Sequence, residues 1–368
     1  MVGAGIGHVA SASASARRSS PAGQLDATTR AALSAALDDA LTKVDSPGVI
    51  AAVQVRNRRP WVAVRGVVDT TTNEKVTPLE HTRIGSLTKT MTGTIILQLV
   101  DDGKLRLDDT IDEWFPEAPD GDRITIRDLG TMSSGIASYT ANQNLVAQYF
   151  ADPSRPWAPE QLVAAGLAMP RKFPPGHGFD YSNTNFVMLG LIIERVTGKP
   201  FSYSLQTRIF DPVGMSESSY PDSNGLPDPY WHGYTVQDSP QAVDSTHWTP
   251  TFAAAAGQAT STLHDLLRWV KAVGTGSLVK PQTQRIRLQG NPASKTGNRE
   301  YDFAIGQDNG WLLHNGEIPG FNTQLAYLPK GDVSIIVMAN SDIGTASGVP
   351  APVIFEALGA VIAPDNAP

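Results

Sequence analysis

The sequence predicts an α/β (α+β) fold in which one antiparallel sheet, built from both ends of the chain, is flanked by helices and joined to an all-α lobe. Three observations predict it. Two β-rich runs, Val49 to Val55 and Trp61 to Val68, lie near the start, separated by the polar Arg-Asn-Arg-Arg-Pro turn of a hairpin. Three more, Gly310 to Leu313, Gln324 to Leu328 and Val333 to Met338, lie near the end, broken by Pro319-Gly320 and by Pro329-Lys330-Gly331-Asp332. Between these two sets the apolar spacing is helical.

Taken in order, Leu33, Leu37 and Leu41 recur every four residues and predict a first helix within 25–44, ending before Ser46-Pro47-Gly48. Leu87 to Val100 is a second helix closed by Gly103, Phe186 to Val196 a third closed by Gly198, and Leu263 to Val273 a fourth closed by Gly274. Proline- and glycine-rich stretches such as 221–250 join them and read as functional loops. The expected division is an α/β lobe at about 24–80 and 275–368, a helical lobe at about 81–274, and a cleft between them. Residues 1–23 contain the overlapping Ala-x-Ala run VASASASA and read as a signal-like remnant without ordered structure, which points to a secreted or extracytoplasmic protein.

With 41% hydrophobic residues, the 368-residue chain can bury a large core. A net charge of −7, with no basic run, argues against nucleic acid or an anionic membrane surface as partner. No apolar stretch is long enough to span a bilayer. The absence of cysteine removes thiol nucleophiles and Cys-based zinc sites.

Three short motifs carry chemistry. In Ile84-Gly85-Ser86-Leu87-Thr88-Lys89 a hydroxyl stands at the start of an apolar helix, where free N–H groups and the helix dipole favour negative charge. Lys89 falls on the same helical face, so its amine can activate Ser86, while Leu87, Met91, Ile95 and Leu99 form a stripe that buries the helix and lowers the lysine pKa. The plain alternative is a helix-capping serine with a solvated lysine. Ser277-Leu278-Val279-Lys280 repeats the spacing between Gly276 and Pro281, where no helix should start, and reads as chance.

Tyr181-Ser182-Asn183 follows a Pro-Pro-Gly-His-Gly turn, so the phenol sits on a loop, either solvated or serving as general base and acid with its pKa lowered by nearby cations. His314-Asn315-Gly316 closes a strand-like run, and its imidazole supplies a hydrogen bond or positive charge near Tyr181 unless it is merely structural. Lys295-Thr296-Gly297 is a rival for that role, but it lies in a polar loop ahead of the strand. There is no Gly-x-Ser-x-Gly elbow, His-Glu-x-x-His, P-loop or dinucleotide fingerprint.

Ser-x-x-Lys, Tyr-x-Asn and His-x-Gly in this order, within RIGSLTKTMTGTIILQLVDDGKLRLDD, YSNTNFVMLGLIIERVTG and HNGEIPGF, resemble the class C β-lactamase and D-alanyl-D-alanine carboxypeptidase superfamily of penicillin-recognising serine hydrolases. The resemblance runs from about Leu25 to Ala360. It implies a β-lactamase/transpeptidase-like fold and covalent acyl-enzyme catalysis with neither metal nor cofactor. It also implies that Ser86 is the nucleophile, Lys89 its activator, Tyr181 the acid and base, and Asn183 a ligand for the acyl side chain. His314 takes a place often held by lysine, and the N–H groups of Ser86 and Glu317 form the oxyanion hole. Phe252 becomes an aromatic wall, with Asn315 and Gly316 beside the substrate. The implied partners are small molecules or peptidoglycan peptides, with D-alanyl-D-alanine peptides first, then neutral esters and amides, and β-lactams as ligands or, for a β-lactamase, as substrates; the last alternative is a non-catalytic peptidoglycan-binding module. Two departures stand out. Met132-Ser133-Ser134-Gly135 replaces the family's His-x-Ser-Gly, a change expected to alter packing rather than chemistry. Glu317 would repel a substrate carboxylate unless Lys295 or Arg299 compensates.

Overall fold

A computed structural model describes residues 23–368; the expected signal-like segment lies, except for Gly23, outside the described residues. Seven antiparallel strands form the main sheet: β1 (Gly48–Val55), β2 (Trp61–Gly66), β3 (Arg299–Tyr301), β4 (Gly306–Asp308), β5 (Trp311–Ile318), β6 (Phe321–Leu328) and β7 (Val333–Ala339). Their spatial order is β2-β1-β7-β6-β5-β4-β3, so the two chain ends meet where β1 pairs with β7, Val49 opposite Ala339 and Val55 opposite Val333. Tight turns set the C-terminal register. Asn309-Gly310, with φ of 44° and 90°, joins β4 to β5, and Pro319-Gly320, with Gly320 at φ 86°, joins β5 to β6.

Helices of nine or more residues are α1 (Ala27–Leu41), α2 (Leu87–Asp101), α3 (Gln143–Ala151), α4 (Pro159–Leu167), α5 (Asn183–Thr197), α6 (Leu263–Thr275) and α7 (Pro350–Ile362). Because strand side chains alternate, Val49, Ala51, Val53, Ile335 and Val337 face one way and join Leu33 and Leu37 of α1 and Ile354, Phe355 and Leu358 of α7 in one core. Ile50, Ala52, Ile336 and Met338 face the other way and join α2, α5 and α6 in a second, larger core. Burying each of the Val, Leu, Ile, Phe and Met side chains among them stabilises the fold by about 1.5–3 kcal/mol.

Three expectations are corrected. α6 runs past Gly274 to a left-handed cap at Gly276, φ 69°. A Cβ at Gly274 would lie 2.3 Å from the Tyr327 ring, so this glycine serves close packing of α6 on the sheet rather than helix termination. α6 therefore belongs with the sheet and not with the helical lobe in which its sequence position put it. The run carrying His314 extends to Ile318, which moves the histidine from the end of a strand to its middle. Among the described residues, no helix is long and apolar enough to cross a membrane.

Candidate active site

α2 is the central element. Leu87, Met91, Ile95 and Leu99 are fully buried as the stripe requires, and so are Thr88, Thr90, Thr92 and Thr94 on its other sides. Those threonines satisfy their hydroxyls locally: Thr92 and Thr94 donate back to carbonyls four residues earlier, and Thr90 also accepts from Trp269 Nε1 at 2.9 Å. The turn into α2 is fixed by Ile84 N–H donating to the Ala259 carbonyl at 3.1 Å and by Gly85 at φ 50°. Ser86 makes no capping bond with its side chain, which removes the plain N-cap reading. Its Oγ instead accepts from Lys89 Nζ at 2.8 Å.

Lys89 is completely buried, and its second partner is the Ala256 carbonyl at 2.7 Å. Burial with no carboxylate bound to it drives the Lys89 pKa well below that of an ordinary lysine. The other Ser-x-x-Lys copy builds nothing comparable, since Lys280 Nζ is spent on the Asp101 carbonyl.

Two glycines bring β5 against this turn. A Cβ at Gly316 would sit 2.0 Å from the Ile84 carbonyl oxygen, and one at Gly85 would sit 2.7 Å from the Glu317 nitrogen. The direction of that nitrogen follows from the register. Phe321 and Ile318 close a two-residue turn on one side of β5, and Asp308 and Trp311 close another on the other side. Alternation of hydrogen-bonded pairs then turns the even residues of β5 toward β6 and the odd ones away from it. Beyond Leu313, where β4 ends, the N–H groups of Asn315 and Glu317 therefore face an open sheet edge, with Glu317 beside Gly85 and Ser86.

The Tyr181 loop is held from below by the segment that departs from the family pattern. Asp180 N–H donates to the Met132 carbonyl at 3.1 Å, Ser182 N–H donates to Met132 Sδ at 3.3 Å, and Ser134 Oγ donates to Asn185 Oδ1 at 2.8 Å. The Tyr181 ring lies 4.9 Å from Lys89 Nζ. Although 38% of the residue is exposed, its packed hydroxyl end is raised well above the ordinary phenol range, chiefly by burial, with hydrogen bonding to Ser86 acting the other way. The expected lowering by cations is corrected: the neighbouring lysine is itself pushed toward its neutral form.

His314 is likewise no cation. Burial first, then the Lys89 charge, lowers its pKa to about 3. Its Nδ1 is 2.6 Å from the Asn315 carbonyl, which only accepts, so Nδ1 carries the proton and Nε2 accepts from the Tyr301 hydroxyl at 3.2 Å. The Asn315 carbonyl thus fixes the tautomer, and Tyr301, which the motifs did not single out, occupies the other ring nitrogen; its ring packs edge-on against Tyr181, with centroids 6.1 Å apart.

Ser86 opens into a cleft of about 370 Å³. Its walls include Tyr139, Tyr149, Phe150 and Phe252 as well as Asn183, Gln237, Glu317 and Pro319. Phe252 stacks on Tyr149 at 4.2 Å and meets Tyr139 edge-on at 5.3 Å. Asn183 reaches Thr140 Oγ1 with Nδ2 at 3.4 Å, which leaves its carbonyl oxygen available. Among the described residues no Lys, Arg or His lines the cleft, and Glu317 is the one carboxylate residue that does.

The structure does not bring Asn315 into this cleft. It lines instead a separate recess with Arg299, Gln307 and Glu356. Arg299 is also not available to offset Glu317, because it pairs with Asp308 at 2.7 Å and Glu356 at 3.6 Å in that recess. Lys295-Thr296-Gly297 forms a hairpin tip closed by Thr296 and Arg299.

A family model described as Beta-lactamase matches residues 33–358. A D-stereospecific amidohydrolase from Streptomyces sp. superimposes with a TM-score of 0.80 at 28% identity, covering 91% of this chain and 99% of the other. A D-amino acid amidase from Ochrobactrum anthropi SV3, complexed with L-phenylalanine amide, gives 0.79 at 26% identity, covering 91% and 98%. Protein flp of Staphylococcus aureus is 26% identical over 288 residues, 75% of this chain, which spans only 56% of that relative's length. The chain therefore belongs to the beta-lactamase family and has the fold its motifs predicted.

Proposed function

We propose that the protein is a serine amidohydrolase and esterase that takes small acyl donors with an apolar or aromatic acyl side chain. The observation that carries this reading is the cleft itself, which joins Ser86 to an aromatic wall and, among the described residues, is lined by no basic side chain. A peptide ending in a carboxylate would meet Glu317 there with no counter-charge. The similarity to D-amino acid amidases supports the same substrate class.

In this mechanism neutral Lys89 accepts the Ser86 proton as Oγ attacks the substrate carbonyl. The N–H groups of Ser86 and Glu317 hold the oxyanion. Tyr181 gives its proton to the leaving nitrogen and is reprotonated by the Lys89 ammonium, so the net transfer is from Ser86 to the departing amine. Water then attacks the Ser86 ester, its proton passing back through Lys89 and Tyr181 to Oγ, and the carboxylic acid leaves. Asn183 and Phe252 orient the acyl group, and Gly316 gives β5 its close approach. His314 acts by filling the space behind Tyr181 with a neutral ring.

D-alanyl-D-alanine peptides and β-lactams are the other acyl donors that the family resemblance supplies. The test is to compare kcat/KM for D- and L-phenylalanine amide, a nitrophenyl butyrate ester and a D-Ala-D-Ala peptide, with intact-mass measurement after penicillin treatment. Amide and ester turnover, lost in Ser86→Ala, is expected. Hydrolysis of the peptide at least about tenfold faster than either amide would replace this reading with the carboxypeptidase one.

A further inference from the structure

We propose that Glu317 and Gln237 form a subsite for the free α-ammonium group of an amino-acyl amide or ester, with Asp342 as the positioning residue that holds Gln237 in place. This subsite rests on the amidohydrolase reading above. Both residues line one end of the Ser86 cleft, together with Ile318 and Pro319. What they offer there is set by what stands behind them. Gln237 Nε2 donates one of its two N–H groups to Asp342 Oδ2, which ties the amide nitrogen to that carboxylate and leaves the carbonyl oxygen free to accept. Asp342 is itself fixed, accepting from Thr235 Oγ1 at 3.1 Å and from the Gly320 N–H at 3.2 Å, the latter in the turn that follows Glu317.

This end of the cleft therefore presents acceptors: the Gln237 carbonyl and the Glu317 carboxylate, with a second carboxylate behind them. Carboxylate or phosphate groups would meet charge of their own sign, whereas an ammonium brings three donors and the complementary charge. Burial and the Asp342 charge raise the Glu317 pKa above the ordinary value, the condition of a carboxyl group that lacks a cation. Position narrows the ligand further. The residue carrying this carboxylate is the one whose backbone N–H faces Ser86 and the reacting carbonyl, so a cation held by it belongs close to that carbonyl, as an α-amino group does. A substrate with its amine acylated would lose the charge and place bulk against Glu317.

The experiment measures kcat/KM for D-phenylalanine amide and for its N-acetyl derivative in the wild type, Glu317→Gln and Asp342→Asn, with a nitrophenyl butyrate ester as reporter of the acyl-transfer machinery. The free-amine preference is a ratio taken within each variant, so a general loss of folding or catalysis cancels. The wild type should prefer the free amine by about tenfold or more. Glu317→Gln should remove most of that preference, chiefly through KM, and Asp342→Asn should reduce it several-fold, also through KM. A wild type that hydrolyses the N-acetyl amide equally well, or a Glu317→Gln variant that keeps the full preference, would overturn the subsite while ester turnover leaves the amidohydrolase reading standing. If the wild type hydrolyses none of the three compounds, that reading falls and the subsite falls with it.

Discussion

Lys89 Nζ is 2.8 Å from Ser86 Oγ and 4.9 Å from the Tyr181 ring centroid, so one buried amine lies against both the hydroxyl and the aromatic ring. Burial pushes the lysine down and the tyrosine up, each toward its neutral form. In that state the amine can accept the serine proton while the phenol holds one for the leaving group.

Removing the hydroxyl tests the first step. Ser86→Ala should lower amide and ester turnover by at least about 10³-fold and abolish any acyl adduct in intact-mass spectra. Turnover within tenfold of the wild type would show that another residue is the nucleophile.

The pH profile follows from the same pair. The active lysine is unprotonated, so kcat/KM for a neutral ester should fall as pH drops through the lowered Lys89 pKa, which lies well below 10.5. Because the Tyr181 phenol is raised, no alkaline loss is expected up to pH about 10, the ordinary value for tyrosine. A decline between pH 8 and 10 in folded enzyme would contradict the protonated-phenol assignment.

Leaving-group dependence separates acid catalysis from packing. Tyr181→Phe keeps the ring against Tyr301 and removes the proton donor. The amide, whose nitrogen must be protonated to depart, should lose about 10²–10⁴-fold in kcat. A nitrophenyl ester, which leaves as a stable anion, should lose far less; equal losses would assign Tyr181 a structural role.

Much of this site was legible because its signals are local. The helix after Ser86, the i, i+3 lysine and the Tyr181 loop each follow from spacing within a few residues. Phe252 was also named for the cleft wall. What escaped depends on long-range pairing. Tyr301 at the end of β3 meets His314 of β5, with β4 between those strands, and Gln237 reaches Asp342 over 105 positions of sequence. Asn315 was misplaced although period-two alternation puts it opposite His314. The signal was hidden because β5 is covered on both faces, so Trp311 and Leu312 are equally apolar. The histidine's charge also depended on burial, which a motif does not record.

Gly316 offers a test of the approach between β5 and α2. In Gly316→Ala the new methyl would stand 2.0 Å from the Ile84 carbonyl oxygen and 2.4 Å from Thr323 Oγ1, so strand and turn must separate. Overpacking of this kind costs about 1–3 kcal/mol, and displacement of the Glu317 N–H should cost about 10²-fold in kcat. Denaturant melts and ester kinetics on the same sample measure both. Unaltered kcat would mean that Glu317 N–H takes no part in holding the oxyanion.

Asp302 provides a readout of stability that is separate from catalysis. It is fully buried, and burial raises its carboxyl to about 7, against the hydrogen bond from Gln307 Nε2 at 2.6 Å and the pull of Arg287. The folded state therefore holds a proton that the unfolded chain, near its ordinary 3.8, releases. The resulting stability is fully present below pH 3.8 and is lost as pH rises through 7, with a slope of up to about 1.4 kcal/mol per pH unit. His314 contributes the opposite sign: with its folded pKa near 3 against 6.5, stability is lost as pH falls from 6.5 toward 3. Between pH 4 and 6 the two slopes oppose each other in the wild type. Asp302→Asn removes only the first, so its urea midpoint relative to the wild type should rise between pH 4.5 and pH 7.5, while its own stability falls on acidification. A difference between the two proteins that stayed constant over that range would mean that Asp302 is ionised in the fold.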